Sequence, residues 1–190
     1  DCARQISMDK TLLENATPEF IREHLEYRKQ NAEKYAKHDW QIKFTSLMQL
    51  TAGVDVEGRA VYLAAKSISA TEENPVVLSF DQITGYSLYR GKKKLDGMED
   101  TGDIPLETGI SALGGIARAL NSKSSSDTVD NFHIKLTTTE PYWREMDIKI
   151  EFASSQLYSF AGLSAFGQEM KQFCGIIKSI IRKEPITVGG

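Results

Sequence analysis

The chain has 190 residues, 41% hydrophobic and 26% charged, enough apolar material for one good core or two small ones and too much for wholesale disorder. A net charge of −3 supplies no general field for collecting nucleic acid, whose phosphates demand a concentrated basic face. No apolar run approaches the roughly 20 residues that span a bilayer.

The chain opens on Asp1-Cys2, with no initiator Met and no signal peptide, so an upstream signal, tag or domain is expected. A mature lipoprotein would begin with its lipidated cysteine, and here Asp1 comes first. The two cysteines, Cys2 and Cys174, cannot build a disulfide framework, which points to a reducing cytoplasm. Cys174 sits in an apolar pattern and reads as a small core hydrophobe.

Residues 1–16 carry little pattern. Thr17-Pro18-Glu19 then starts a helix: Thr caps, Pro fits the first helical position and Glu suits the positive dipole end. Ile21, Leu25, Arg28, Ala32 and Tyr35 form a narrow stripe interrupted by Arg28, and the helix should stop near His38. The other faces are densely charged, which predicts an appendage more than a core element.

From Trp40 the period drops to two. Ile42, Phe44, Ser46, Met48 and Leu50 predict one half-buried strand. Val54 to Val56 and Ala60 to Ala65 flank Glu57-Gly58-Arg59, which reads as a hairpin turn with Gly available for positive φ. Val76 to Phe80 and Ile83 to Tyr89 are two further strands with a tight link at Asp81-Gln82. Residues 91–128 break the pattern and form a long insert, a length at which loops are usually functional or disordered. Phe132, Ile134 and Leu136 alternate with polar residues, Glu140 to Trp143 forms a turn, and Met146, Ile148, Ile150 and Phe152 alternate strictly. Last, Phe166, Met170, Phe173, Ile177 and Ile180, broadened by Cys174 and Ile181, define a long amphipathic helix ending near Arg182-Lys183. The expected fold is α+β: a bent antiparallel barrel of seven strands capped by the C-terminal helix, with the charged helix in front.

That order resembles the pleckstrin-homology (PH-like) superfold. More specifically, the chain resembles a bacterial family of unknown function, common in Firmicutes, with an N-terminal four-cysteine zinc finger, a charged helix and a PH-like domain. The matching stretches are Asp1-Cys2-Ala3-Arg4, the helix from Thr17 to Ala36, Asn74-Pro75 through Phe80-Asp81-Gln82-Ile83, the Gly114-Gly115 segment, and Ile148 to Phe152 with the final helix. The resemblance implies that residues 1–38 are a finger remnant plus the charged helix, and that 39–184 are the PH-like domain with its insert at 91–128. It makes Cys2 the last zinc ligand of a finger whose other three ligands lie upstream. One thiolate cannot build a tetrahedral site, so no metal and no cofactor are expected for this chain.

Chemistry is sparse. His24 and His38 belong to the charged helix and His133 to the polar face of a strand, with no triad spacing. Gly109 to Gly115 lacks the Lys-Ser/Thr that would make a phosphate-binding loop. The chain is therefore expected to be no enzyme. Binding candidates are three. Arg90, Lys92, Lys93 and Lys94 could meet anionic lipid, although Asp96, Glu99, Asp100 and Asp103 would largely cancel their field beyond about 8 Å. Ile110, Leu113, Ile116 and Leu120 have helical spacing and fit a partner-binding helix, a membrane-touching helix, or a helix docked on its own domain. Tyr142-Trp143 is either an exposed aromatic anchor or packing under a loop. The expected function is a non-enzymatic module for a protein or peptide partner. The alternative is a peripheral membrane protein using the Arg90–Lys94 cluster and the 108–121 segment.

Overall fold

The computed structural model describes residues 16–45, 47, 49–90, 92–99, 132–150 and 160–186, the side chains of residues 90, 93, 98, 99 and 160–165 excepted. Helix α1 (Pro18–Lys37) starts as expected: the Phe20 amide donates to the Thr17 hydroxyl at 3.2 Å. Strands β1 (Ile42–Phe44), β2 (Leu50–Asp55), β3 (Ala60–Ala65) and β4 (Val76–Ser79) form one antiparallel sheet in sequence order. Strands β5 (Ile83–Arg90), β6 (Lys93–Glu99), β7 (Phe132–Thr138) and β8 (Glu145–Ile150) form a second antiparallel sheet, ordered β6-β5-β7-β8. Helix α2 (Phe160–Arg182) closes the described chain.

The described residues are thus α+β, with eight strands in two four-stranded sheets and no closed seven-stranded barrel. Two local readings account for the difference. The predicted strand 42–50 is broken: β1 ends at Phe44, the Leu50 amide turns back to the Leu47 carbonyl at 3.1 Å, and Leu47 is fully buried. A period of two has no place for Leu47 beside Leu50. The second difference is β6, which lies inside the predicted insert. Its sequence carries only Leu95 and Met98 as apolar residues, and a β-bulge at Leu88/Tyr89 breaks its alternation. Residues 100–131, with Ile110, Leu113, Ile116 and Leu120, lie outside the described residues, as do Cys2 and Phe152.

The core lies between the sheets, under α2. Phe166, Met170, Phe173 and Ile177, the predicted helix face, are all fully buried. Phe173 meets Phe44 of the first sheet edge-on at 5.4 Å, and Phe166 meets Phe132 of the second at 5.9 Å, so one helix face ties both sheets together.

Helix α1 is docked, through Arg28 and Tyr35 of its predicted stripe and through His24 and Asn31 outside it. Its buried residues are His24, Arg28 and Asn31, all polar. The Asn31 carboxamide donates to the Pro75 carbonyl at 2.5 Å and accepts from the Val77 amide at 2.9 Å. These are the bonds that another strand would make, so Asn31 closes the outer edge of β4. Arg28 donates to the Asn74 carbonyl and lies over the Trp143 ring, 5.2 Å from its centroid. At the C-terminal end of α1, Tyr35 and Trp40 pack with Tyr62 on the outer face of β3. The appendage expected from the charged sequence gives way to a helix that seals a sheet edge.

Two substitutions test this packing. Phe173→Ala should cost about 3–5 kcal/mol in chemical denaturation, as for a large aromatic removed from a filled core. Asn31→Ala should cost about 1–3 kcal/mol, because it strips Pro75 and Val77 of their partners. A loss below about 0.5 kcal/mol for Asn31→Ala would show that water replaces the carboxamide freely.

Candidate functional site

The second sheet turns Leu88, Ile134, Leu136, Met146 and Ile148 toward the core, so by alternation Ser87, Tyr89, His133, Lys135, Thr137, Glu145 and Asp147 face outward. Register stacks these residues in rows. Lys94, Tyr89, His133 and Lys149 form one row, Gly97, Ser87, Lys135 and Asp147 the next, and Gly85, Thr137 and Glu145 a third. Ser87 and Gly97 carry little or no side chain in the middle of this face, and the space over Gly97 is taken by Lys94. A side chain at position 97 would collide with Lys94, whose aliphatic end lies across the glycine, and with the Ser87 hydroxyl.

An open cleft of about 780 Å³ lies here, with Ser87, Tyr89, Lys135 and Asp147 in its lining. One wall is the 3-10 segment Lys66–Ile68, which packs against the edge of β8, where Ser67 Oγ accepts from the Lys149 amide at 3.1 Å. The end wall is the β7–β8 turn. Trp143 is buried there, its indole N–H donating to the Ile68 carbonyl at 3.2 Å. Tyr142 is half-buried: it lines the cleft on one side and packs against Tyr27 and His24 of α1 on the other, both at 4.7 Å. Of the two readings open for this pair, Trp143 takes the packing under the turn, while Tyr142 presents a surface to the cleft.

Beneath the turn, Glu140 is buried and well partnered. It accepts from Gln82 Nε2 at 2.7 Å. Burial, with the Glu140 charge beside it, pushes the Tyr27 phenol well above its usual range. Burial pulls Arg28 down from its usual value, with the neighbouring Tyr27 opposing the change. These groups brace the end wall of the cleft against α1.

Of the basic cluster, Lys92 is exposed at the β5–β6 turn and Lys94 is exposed on β6, and Arg90 and Lys93 are the strand residues on either side of the turn. Sequence reasoning missed Ser67, Ser87, Tyr89, Lys135 and Asp147 as site residues. The signal was present in the polar positions of β7 and β8, which are written off as a solvated face unless the register of the neighbouring strands is known. Among the described residues, no group of three His, Cys, Asp or Glu side chains is placed to hold a metal ion, and no helix is long and apolar enough to cross a membrane.

A second polar cluster joins α1 to the β2–β3 hairpin. Asp55 accepts from His38 Nδ1 at 2.7 Å, from Gln41 Nε2 at 3.2 Å, and from the Gly58 amide at 2.7 Å. Gly58 is needed for space: a Cβ there would collide with the Asp55 carboxylate and the His38 ring. The residue of this turn with positive φ is Arg59, at 52°, and not the glycine as predicted. Burial alone would raise the Asp55 carboxyl, but the Gly58 amide, His38 and Gln41 outweigh it and hold it below the usual carboxylate value. A depressed folded-state value means that this group stabilises the fold above its unfolded pKa of about 3.9, and that the contribution is lost as pH falls through the folded value. The stability difference between wild type and Asp55→Asn, measured by denaturation, should be largest near neutral pH and shrink through the acid range. A difference independent of pH would show that Asp55 does not titrate in this way.

Comparison of the chain with protein-family models, with curated proteins and with solved structures finds no match.

Proposed function

We propose that this chain is a non-catalytic interaction module that holds a segment of a protein or peptide partner in the cleft on the outer face of its second sheet. The observation carrying this reading is the cleft itself: hydroxyls, aromatic rings, one lysine and the carboxylates of Glu145 and Asp147, arranged in cross-strand rows beside the Lys66–Ile68 wall. Such a lining offers hydrogen bonds and ring faces along a line, which suits an extended chain better than a compact small molecule. With β6 set aside, the order is a four-stranded meander, the meander β5-β7-β8, and a helix packed between them. That order supports the PH-like reading and agrees with the resemblance to the zinc-finger family, which leaves the partner open because one fold hosts many ligands.

The alternative, attachment to a membrane through Arg90–Lys94, draws on the exposure of Lys92 and Lys94. The concavity favours the peptide reading, because a bilayer needs a surface that protrudes.

Selection from a displayed peptide library tests the proposal. Peptides selected on the wild-type protein should lose binding to Ser87→Arg, which fills the cleft, and keep it on Lys171→Glu, a change on the exposed face of α2. Equal binding to both variants would place the site elsewhere, and a selection that yields no binder would remove the peptide reading.

A further inference from the structure

The charge of the partner follows from the β-bulge in the β5–β6 hairpin, if the cleft binds a peptide as proposed above. Tyr89 pairs with Lys94, but Leu88 pairs with Asp96, leaving Leu95 as the extra residue. Without the bulge, strict alternation would place Asp96 opposite Ser87, on the outer face and beside Lys94. The bulge turns it inward. There Asp96 accepts from the Tyr86 hydroxyl at 2.5 Å and pairs with Lys178 Nζ of α2 at 2.7 Å. The Asp96 side chain keeps 9% of its surface exposed and the Lys178 side chain 19%, so the two charges neutralise each other away from solvent.

The consequence lies on the other side of the sheet. The carboxylate that the sequence sets two residues after Lys94 is withdrawn from the outer face. What remains at this end is Lys94, Tyr89, His133 and Lys149 in one cross-strand row, with Lys92 exposed at the turn. Lys135 reaches the same place from the next row, its Nζ 5.6 Å from the centre of the Tyr89 ring. The described carboxylates on this face are Asp147, 3.3 Å from His133 and opposite Lys135, and Glu145 at the far end of the cleft. The hairpin end is therefore basic, and the concave floor begins beside it.

We propose that this end of the cleft receives an acidic segment of a polypeptide, with partner carboxylates against Lys94 and Lys135 and the Tyr89 ring between them. Charge complementarity selects the segment, and the concavity favours a polypeptide over a bilayer surface.

Fluorescence anisotropy with a fluorescein-labelled peptide of alternating glutamate and serine tests this, against a lysine–serine peptide of equal length. The acidic peptide should bind saturably and lose affinity as salt is added. Lys94→Glu and Lys135→Glu, both at exposed positions, should each weaken it about tenfold, and Lys171→Glu should not. Thermal melts of each variant establish that the fold is kept. Equal binding of the lysine–serine peptide, or indifference to both charge reversals, would overturn the proposal. So would co-sedimentation with phosphatidylserine–phosphatidylcholine vesicles without peptide binding. If library-selected peptides occupy the cleft while the glutamate–serine peptide does not, the acidic assignment fails and the interaction-module reading stands.

Discussion

A sheet that ends in an open edge exposes a row of backbone donors and acceptors, and the first sheet of this protein ends at β4. Pro75 has no N–H to offer, the Ser79 amide is taken by Gln82 Oε1 at 2.8 Å, and two of the groups left on that edge are the Pro75 carbonyl and the Val77 amide. One asparagine on α1 meets both. That contact fixes where α1 lies, and much else follows from its position. Arg28, one turn earlier, reaches the Asn74 carbonyl and covers Trp143, while Tyr27 and His24 come to rest on Tyr142. The end wall of the cleft is thus set by a helix that seals the opposite sheet. The edge at β8 is treated similarly, with Ser67 meeting the Lys149 amide.

The second sheet shows how a surface can be made by moving charges inward. Its inner face is a continuous apolar layer against α2, except where Tyr86, Asp96 and Lys178 meet. Burying a carboxylate is costly unless it is paired and hydrogen-bonded, and here it is both. Burial pushes the nearby Cys174 thiol up to about 12, with the Asp96 charge adding to the effect, which leaves it an inert core group. The network also defines register, because only one placement of β6 brings Asp96 beneath both Tyr86 and Lys178.

Legibility in the sequence followed the strength of the hydrophobic pattern. The α2 face was readable because Phe166, Met170, Phe173 and Ile177 alternate at spacings of four and three. Strands β7 and β8 were readable because each has one dry and one wet face. What could not be read was packing that does not use apolar residues. Arg28 looked like a flaw in a stripe, and Asn31 and His24 looked like surface, because burial through hydrogen bonds and ring contacts leaves no periodic trace. β6 was hidden for a related reason, since a bulged edge strand with two apolar residues resembles a loop. The site suffered most. Ser87, Lys135 and Asp147 are ordinary outward residues individually, and only the register of β5, β7 and β8 assembles them.

The central claim is that Asn31 makes α1 an integral part of the first sheet and not a loose attachment. Native-state hydrogen exchange of the Val77 amide addresses it most directly, because its partner in the fold is a side chain of α1. If α1 is integral, Val77 should exchange through the same cooperative opening as the amides of Val61 and Leu63 in β3, with the same dependence on denaturant. Exchange of Val77 at the rate of an exposed amide, while Val61 and Leu63 stay protected, would mean that α1 lifts off a sheet that is stable without it.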